Sequence, residues 1–303
     1  MPELPDITVY IEAMRDRMIG QPLVHARIAS PFLLRTAVPP IASVNGKTVR
    51  DIYRVGKRIA IELDDELTLV MHLMIAGRLH WRPPSTRLVG KNSLAAFDFE
   101  NGVLVLTEAG TKRRASLHVL ADCASVRAMD SGGIDIAASS RDEFAKTVQS
   151  ENHTLKRALT DPRLFSGIGN SYSDEILFAA QMAPTTLTQR LSDDEIDKLR
   201  DAVIATMDEW TERLRAETNG KFPENVTAFR KEMAVHGRYN LPCPRCGAPV
   251  QRIRYADNET NYCAPCQTGG KLLSDRALAR LLGSDWPKTL DGLELLAKKH
   301  RAE

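Results

Sequence analysis

Behind the initiating Met1 stand Pro2, Glu3, Leu4, Pro5 and Asp6. If Met1 is trimmed, Pro2 presents a secondary amine beside a carboxylate. A secondary amine that attacks a sugar aldehyde carbon forms an iminium ion, which is charged without a proton and acts as an electron sink for elimination beta to it. A free α-amino group has a pKa of roughly 7.7–8.0, so a neutral fraction exists near pH 7. Pro2 is therefore a candidate nucleophile, and Glu3 a candidate proton shuttle. The same residues also fit an ordinary surface N-terminus whose proline was set by methionine processing.

A second constellation is Cys243-x2-Cys246-x16-Cys263-x2-Cys266. Two C-x2-C pairs match the four thiolates of a tetrahedral zinc, and Pro244, Gly247 and Pro265 suit the tight turns. With four sulfur ligands and no open position, one structural Zn2+ is expected, folding a ribbon of roughly 30 residues too small to bury a core alone. Two disulfides or four buried thiols are the alternatives, less suited to an unsecreted chain. Cys123, in an Ala/Val-containing segment, is expected to be a small buried hydrophobe.

The elements that position these groups follow from periodicity. Ile7, Tyr10, Ile11, Met14 and Met18 recur at helical spacing, with Pro5 suited to a first turn, which brings the positive helix end near the amine. From about residue 22 to 125 the pattern is strand-like. Ile59, Ile61 and Leu63 alternate, as do Leu67, Leu69, Met71 and Leu73, and Asn101-Gly102 precedes the run Val103 to Leu106 as a hairpin signal. The Gly132-Gly133 region reads as a linker. Ser140-x-x-Glu143 and Ser192-x-x-Glu195 are capping boxes that open helices, the second closed by Asn219-Gly220. Between them, Gly167-Ile-Gly-Asn170 before an apolar helix resembles a phosphate-gripping turn, or a plain turn between helices. Leucines from 272 to 296 form a short helical appendage.

The 303 residues are 43% hydrophobic and 26% charged, the balance of a globular chain. No apolar run approaches the ~20 residues of a membrane helix, and the acidic start lacks a basic leader, so a cytoplasmic protein is expected. Forty-one basic against 39 acidic residues give a net charge of only +2. A polyanion partner must then be held by local patches, for which Lys112-Arg113-Arg114, Lys156-Arg157, Arg252 with Arg254, and Lys298-Lys299-His300-Arg301 are candidates. Each also fits a solvated face.

In this order, Met-Pro-Glu-Leu-Pro, Val55-Gly-Lys-Arg58, His72-Leu73, Leu155-Lys156, Gly167-Ile-Gly-Asn-x-Tyr172 with Asp174-Glu175, and His236-Gly-Arg running into the cysteines resemble the bacterial formamidopyrimidine-DNA glycosylase and endonuclease VIII family over about residues 1 to 270. The resemblance implies an α+β multidomain protein. An N-terminal helix plus antiparallel β-sandwich occupies 1–130, a linker 131–139, a helix-two-turn-helix domain 140–235, a zinc-finger ribbon 236–270 and a helical tail 271–303. It implies a nucleoid-associated bacterial monomer that clamps damaged duplex DNA, not a membrane, and flips the damaged nucleotide out. Pro2 would attack C1′, Glu3 would exchange protons with the opening sugar, Lys57 would hold phosphate beside the lesion, and Lys156 and Asn170 would hold neighbouring phosphates. His72 is a DNA contact or a satisfied sheet histidine.

Departures from the family pattern bear on substrate. Asp6 stands for a longer Glu, Ile75 for Met in the element that refills the void, Lys112-Arg113-Arg114 for an Arg-Arg-Phe loop, and Asn258 for an Arg that grips lesion phosphates. Arg252 or Arg254 would compensate for the last. The strand before Phe97-Asp98-Phe99 also lacks the usual His. The expected activity is a DNA glycosylase with abasic-site lyase activity, by β-elimination with or without δ-elimination. Cleavage at abasic sites and ring-opened or saturated bases is expected to exceed that at 8-oxoguanine opposite cytosine. Two other readings are an abasic-site lyase with little base removal, and a catalytically idle DNA-damage-binding protein.

Overall fold

The computed structural model describes residues 1–110, 112–227, 230–255, 258–274, 280–293 and 295. The chain divides into two compact units, 1–133 with 207–228 and 134–206 with 229–303.

In the first unit, α1 (Leu4–Met18) starts where its sequence allows. Pro5 lies in the first turn, where a missing N–H costs nothing, and the Asp6 carboxylate accepts the Glu3 amide at 3.0 Å. Arg15 and Arg17 in the last turn complement the dipole. Ile7, Tyr10, Ile11, Met14 and Met18 are all buried, so the helical periodicity defines the face that packs.

That face joins the core of an antiparallel sandwich. The strands are β1 (Pro22–Leu23), β2 (His25–Ile28), β3 (Lys47–Val55), β4 (Arg58–Leu63), β5 (Thr68–His72), β6 (Gly77–Arg82), β7 (Ser93–Phe99), β8 (Gly102–Glu108) and β9 (Ser116–Leu120). One sheet runs β1-β3-β4-β5-β9 and the other β2-β7-β8-β6. The alternating residues Ile59, Ile61, Leu63, Leu69 and Met71 point into the shared core, as period-2 patterning requires. The hairpin sits one residue earlier than Asn101-Gly102 implies: Phe99 pairs with Gly102, leaving Glu100 and Asn101 at the turn. Gly102 is instead needed for space, because a Cβ there would lie 2.5 Å from the Trp81 ring.

A short α2 (Cys123–Arg127) follows, capped by Asp122 through the Ser125 amide at 2.6 Å. It places Val126 over Val55, Ala60 and Val70 on the outer face of the first sheet. Cys123 corrects its expectation: at the first position of α2 it is exposed, and Val126 is the residue that faces inward.

The second unit holds α3 (Arg141–Gln149), α4 (Leu155–Thr160) and α5 (Asn170–Ala179). Ser140 Oγ accepts the Glu143 amide at 3.1 Å, as its capping box requires. Residues 134–139 do not behave as slack linker. Ile134 exchanges backbone bonds with Leu164 and Ser166, and Ile136 is buried. The long α6 (Asp193–Thr218) opens with a reciprocal box between Ser192 and Glu195. It stops at Asn219 and Gly220, both at positive φ. Farther on, β10 (Gln251–Tyr255) and β11 (Asn258–Tyr262) make an antiparallel ribbon, followed by α7 (Ala264–Thr268). The Tyr262 hydroxyl accepts the Leu273 amide at 2.7 Å, and Leu272, Leu273, Leu290 and Leu293 pack with Ile253 and Tyr262. The tail leucines 278 and 296 and the basic run 298–301 lie outside the described residues.

Segment 207–228 supplies Phe222 to the first unit, where it packs on Tyr10 at 5.7 Å and Trp81 at 6.4 Å between ring centroids. Phe222→Ala is expected to cost about 3 kcal/mol, the scale of an emptied aromatic site. Equilibrium denaturation followed by the first unit's unfolding checks this; an unchanged midpoint would place Phe222 outside the core.

Candidate active site and metal centre

The amine end is held by burial. Pro2 is buried, and Glu3 and Asp6 are each 2% exposed. The structure carries Met1, whose terminal amine is pushed below its ordinary value first by burial, then by the cations Arg78 and Lys57, against the pull of Glu3 and Asp6. Pairing Pro2 and Glu3 in the sequence anticipated this cluster. Arg78 was not anticipated, because an arginine opening a strand after a glycine has no distinguishing sequence signal.

Lys57 stands at the tip of the β3–β4 hairpin. Val55 pairs with Arg58 across a two-residue turn, and Gly56 at φ +60° supplies the backbone that such a turn needs at its first central position. His72 is the register partner of Arg58 one strand over and is half-buried. Burial lowers its pKa to about 4, helped by Arg58, Lys57 and His118. A neutral ring thus lies in a cationic neighbourhood, able to accept or donate a hydrogen bond without adding charge.

Two loops lie at one end of the β6–β8 pair. One carries Ile75, 63% exposed, beside Met74 at φ +51°. The other carries Lys112, Arg113 and Arg114, all exposed.

In the second unit the Gly167-to-Asn170 turn leads into α5. Gly167 has φ +87°, Gly169 caps the helix in an extended conformation, and the Asn170 side chain donates to the Glu259 carbonyl at 3.0 Å. The expectation that Lys156 holds a phosphate directly needs correction. Its ammonium, on a side chain 12% exposed, donates to Asn170 O at 2.7 Å, Ser173 Oγ at 2.8 Å and Asp174 Oδ1 at 2.6 Å. A lysine has three donors, and all are committed to the first turn of α5. Asp174, fully buried, also takes His236 Nδ1 at 2.8 Å. Glu175 accepts the amides of Ala234, Val235 and His236 at 2.7 to 2.9 Å, with burial raising its pKa against those bonds.

On the ribbon, the Arg252 guanidinium lies 4.0 Å over the Tyr239 ring and 3.5 Å from Glu259 Oε2, whereas Arg254 is exposed. Of the two proposed substitutes for Asn258, Arg254 is the one presented to solvent.

The four cysteine sulfurs lie within 4.8 Å of one another. Cys243 and Cys266 are separated by 3.9 Å and Cys246 and Cys263 by 3.4 Å. Those spacings bracket the edge of about 3.8 Å that a tetrahedron with Zn–S bonds of ~2.3 Å requires. The first knuckle is shaped by Gly247 at φ +76°, whose amide donates to Cys243 O at 2.9 Å. The donor set fits a structural zinc, held by Cys243, Cys246, Cys263 and Cys266.

Comparison with known proteins agrees with this geometry. Residues 1–115 match the formamidopyrimidine-DNA glycosylase N-terminal domain, 135–219 the formamidopyrimidine-DNA glycosylase H2TH domain, and 240–269 the zinc finger found in FPG and IleRS. An uncharacterized formamidopyrimidine-DNA glycosylase-like protein of Mycobacterium tuberculosis is 34% identical over 156 residues, spanning 52% of this chain and 95% of that protein. A formamidopyrimidine-DNA glycosylase of Desulforamulus reducens is 28% identical, covering 88% and 99%. The fold superposes with TM-score 0.78 on Lactococcus lactis Fpg bound to an oxidized pyrimidine containing DNA, at 24% identity and covering 88% and 100%. A β-sandwich led by a buried Pro-Glu terminus, an H2TH unit and a four-cysteine ribbon define a class of DNA repair glycosylase. The chain belongs to the formamidopyrimidine-DNA glycosylase and endonuclease VIII family.

Metal analysis is expected to find one zinc per chain, and its chelation to abolish amide protection in β10 and β11; less than half an equivalent in unchelated protein would count against the site. For His72 the folded pKa of about 4 lies below the ordinary 6.5. Its contribution to stability is full above pH 6.5 and declines as pH falls toward 4, because the unfolded chain takes up a proton that the folded one refuses. Denaturation midpoints of the first unit should drop over that window, and His72→Gln should flatten part of the drop. An unaltered slope in the variant would remove the assignment.

Proposed function

We propose that this protein removes damaged bases from duplex DNA and cuts the strand at the resulting abasic site through an iminium formed on Pro2. It is a base-excision DNA glycosylase by family; the roles of individual residues are our reading. The observation that carries it is the buried Pro2-Glu3 terminus, where burial first, and then Arg78 and Lys57, lower the pKa of the terminal amine borne by Met1.

Removal of Met1 leaves the Pro2 nitrogen as a secondary amine in the same surroundings. Its lone pair attacks C1′, the glycosidic bond breaks, and the base departs with its electron pair and a proton. Glu3 exchanges protons with the opening sugar oxygen. The amine nitrogen loses its own proton, and its lone pair forms the C1′ iminium as the C1′–O4′ bond breaks and O4′ takes up a proton. Abstraction of a C2′ proton then sends electrons toward the iminium, and the 3′ phosphate leaves by β-elimination. Water releases the enzyme. Lys57, carried on a two-residue turn, would meet phosphate beside the sugar, with His72 one strand over from Arg58. In the second unit the α5 N-terminus and Asn170 would hold a neighbouring phosphate, and Lys156 would position that turn from beneath. Arg254 would contribute on the ribbon. The lactococcal relative, as its complex is described, binds DNA containing an oxidized pyrimidine. Abasic sites and ring-opened or saturated bases are the substrates we propose here. We further propose that it acts as a monomer on the bacterial nucleoid; among the described residues no helix is long and apolar enough to cross a membrane.

Borohydride reduction with an abasic-site duplex should trap a covalent complex whose modified peptide maps to Pro2; attachment at a lysine would sink the assignment. Scission of abasic DNA without excision of any damaged base would leave the lyase-only reading, and no trapping at all would leave a DNA-damage-binding protein. Arg78→Ala removes a cation that lowers the amine pKa, so the rising limb of the trapping rate against pH should move to higher pH. A shift to lower pH would contradict the electrostatics.

A further inference from the structure

Glu108 ends β8 with only 1% of its surface exposed. Its two oxygens accept the amide of Arg114 at 2.9 and 3.1 Å and the amide of Ala115 at 3.3 and 3.1 Å. A buried carboxylate is costly unless its acceptors are filled, and these are filled by backbone alone at the base of one loop. From that loop Lys112, Arg113 and Arg114 project into solvent. A second tie runs from the Arg113 guanidinium to the Lys91 carbonyl.

Across the sheet the register partner of Glu108 is Gly77. Gly77 closes the turn that bears Ile75. Its amide donates to Leu73 O at 2.9 Å, and a Cβ at this position would lie 2.2 Å from that same oxygen. The Arg78 guanidinium braces the turn through Ile75 O at 3.1 Å and Gly77 O at 2.6 Å. One rung of the sheet thus mounts an exposed aliphatic side chain on one side and three exposed cations on the other.

We infer that Glu108 is a positioning residue: its carboxylate fixes the Arg114 loop against the Ile75 turn, so that an aliphatic side chain and a guanidinium enter the duplex together where the damaged nucleotide leaves it. This rests on the base-excision reading above. An apolar side chain excludes water from the emptied stack, and a planar guanidinium stacks on a base or bonds to the widowed partner. Neither acts in register unless the two loops share a fixed base.

The test is Glu108→Gln, nearly isosteric, which keeps one acceptor and turns an NH2 toward the two amides, donor against donor. Single-turnover excision of a ring-opened purine and borohydride trapping at a preformed abasic site are measured together. E108Q should lower excision on the order of tenfold. Trapping should fall much less, since no base has to be unstacked. Arg114→Ala should give the same split, and the double variant should be no worse than the poorer single, as expected for two residues acting through one placement. Ala115→Pro, which deletes one of the two donors and keeps the carboxylate, should reproduce the excision loss and serves where E108Q does not fold. Additive losses, equal losses of excision and trapping, or full excision by E108Q or Ala115→Pro would overturn the inference. A wild-type protein that neither traps nor excises would overturn the base-excision reading with it, whereas active wild type with unaffected variants removes the role of Glu108 alone.

Discussion

A reagent at the end of a polypeptide is useful only if the end is immobile, and a free terminus has more conformational freedom than any other backbone position. The chemistry proposed for Pro2 depends on α1 removing that freedom. The helix begins within two residues of Pro2, the nucleophile we propose, and its buried face, from Ile7 to Met18, is locked into the sandwich core. Asp6 holds the Glu3 amide from the first turn. Hydrophobic packing several turns away therefore fixes the position of an amine, and burial, followed by the cations Arg78 and Lys57, lowers the basicity of the terminal amine.

Buried carboxylates serve the rest of the structure in the same way. Asp6 ties the helix start, Glu108 the Arg114 loop, Glu175 the segment entering the zinc ribbon, and Asp174 both Lys156 and His236. Each is almost fully buried and accepts bonds from backbone amides or a buried base. A carboxylate offers two oxygens with about four lone-pair sites, so one side chain can hold several donors in a segment that no strand or helix would pair. Removing such a group would leave its donors unsatisfied in a low-dielectric interior, which makes these connections rigid.

Charge is apportioned locally. With a net charge of only +2, attraction to a polyanion comes from placement. Lys112, Arg113, Arg114 and Arg254 are presented to solvent, whereas Lys156 and Arg252 are engaged internally, so a basic residue in a family motif does not by itself identify a contact. Burial of His72 beside Arg58 and Lys57 keeps a ring neutral where one more positive charge would be repelled.

Sequence alone determined what depends on short-range chemistry. Residue types and spacing specified the four-cysteine site, the amine beside Glu3, the face of α1, the alternating core strands and both Ser-x-x-Glu caps, because each is set by ligand geometry, by a fixed helical or strand period, or by a bond spanning three residues. Only the tertiary structure decided which polar side chains are spent internally. Lys156 turned inward because Ser173 and Asp174 lie beneath it, Cys123 turned outward because Val126 took the sheet-facing position, and Gly102 was needed for Trp81 rather than for a turn. Arg78 and Glu108 carry no local signal, since their partners are the terminal amine, the carbonyls of the Ile75 turn and two amides beyond β8. Burial and long-range hydrogen bonding are properties of chain segments brought together, and a linear pattern records only the segments.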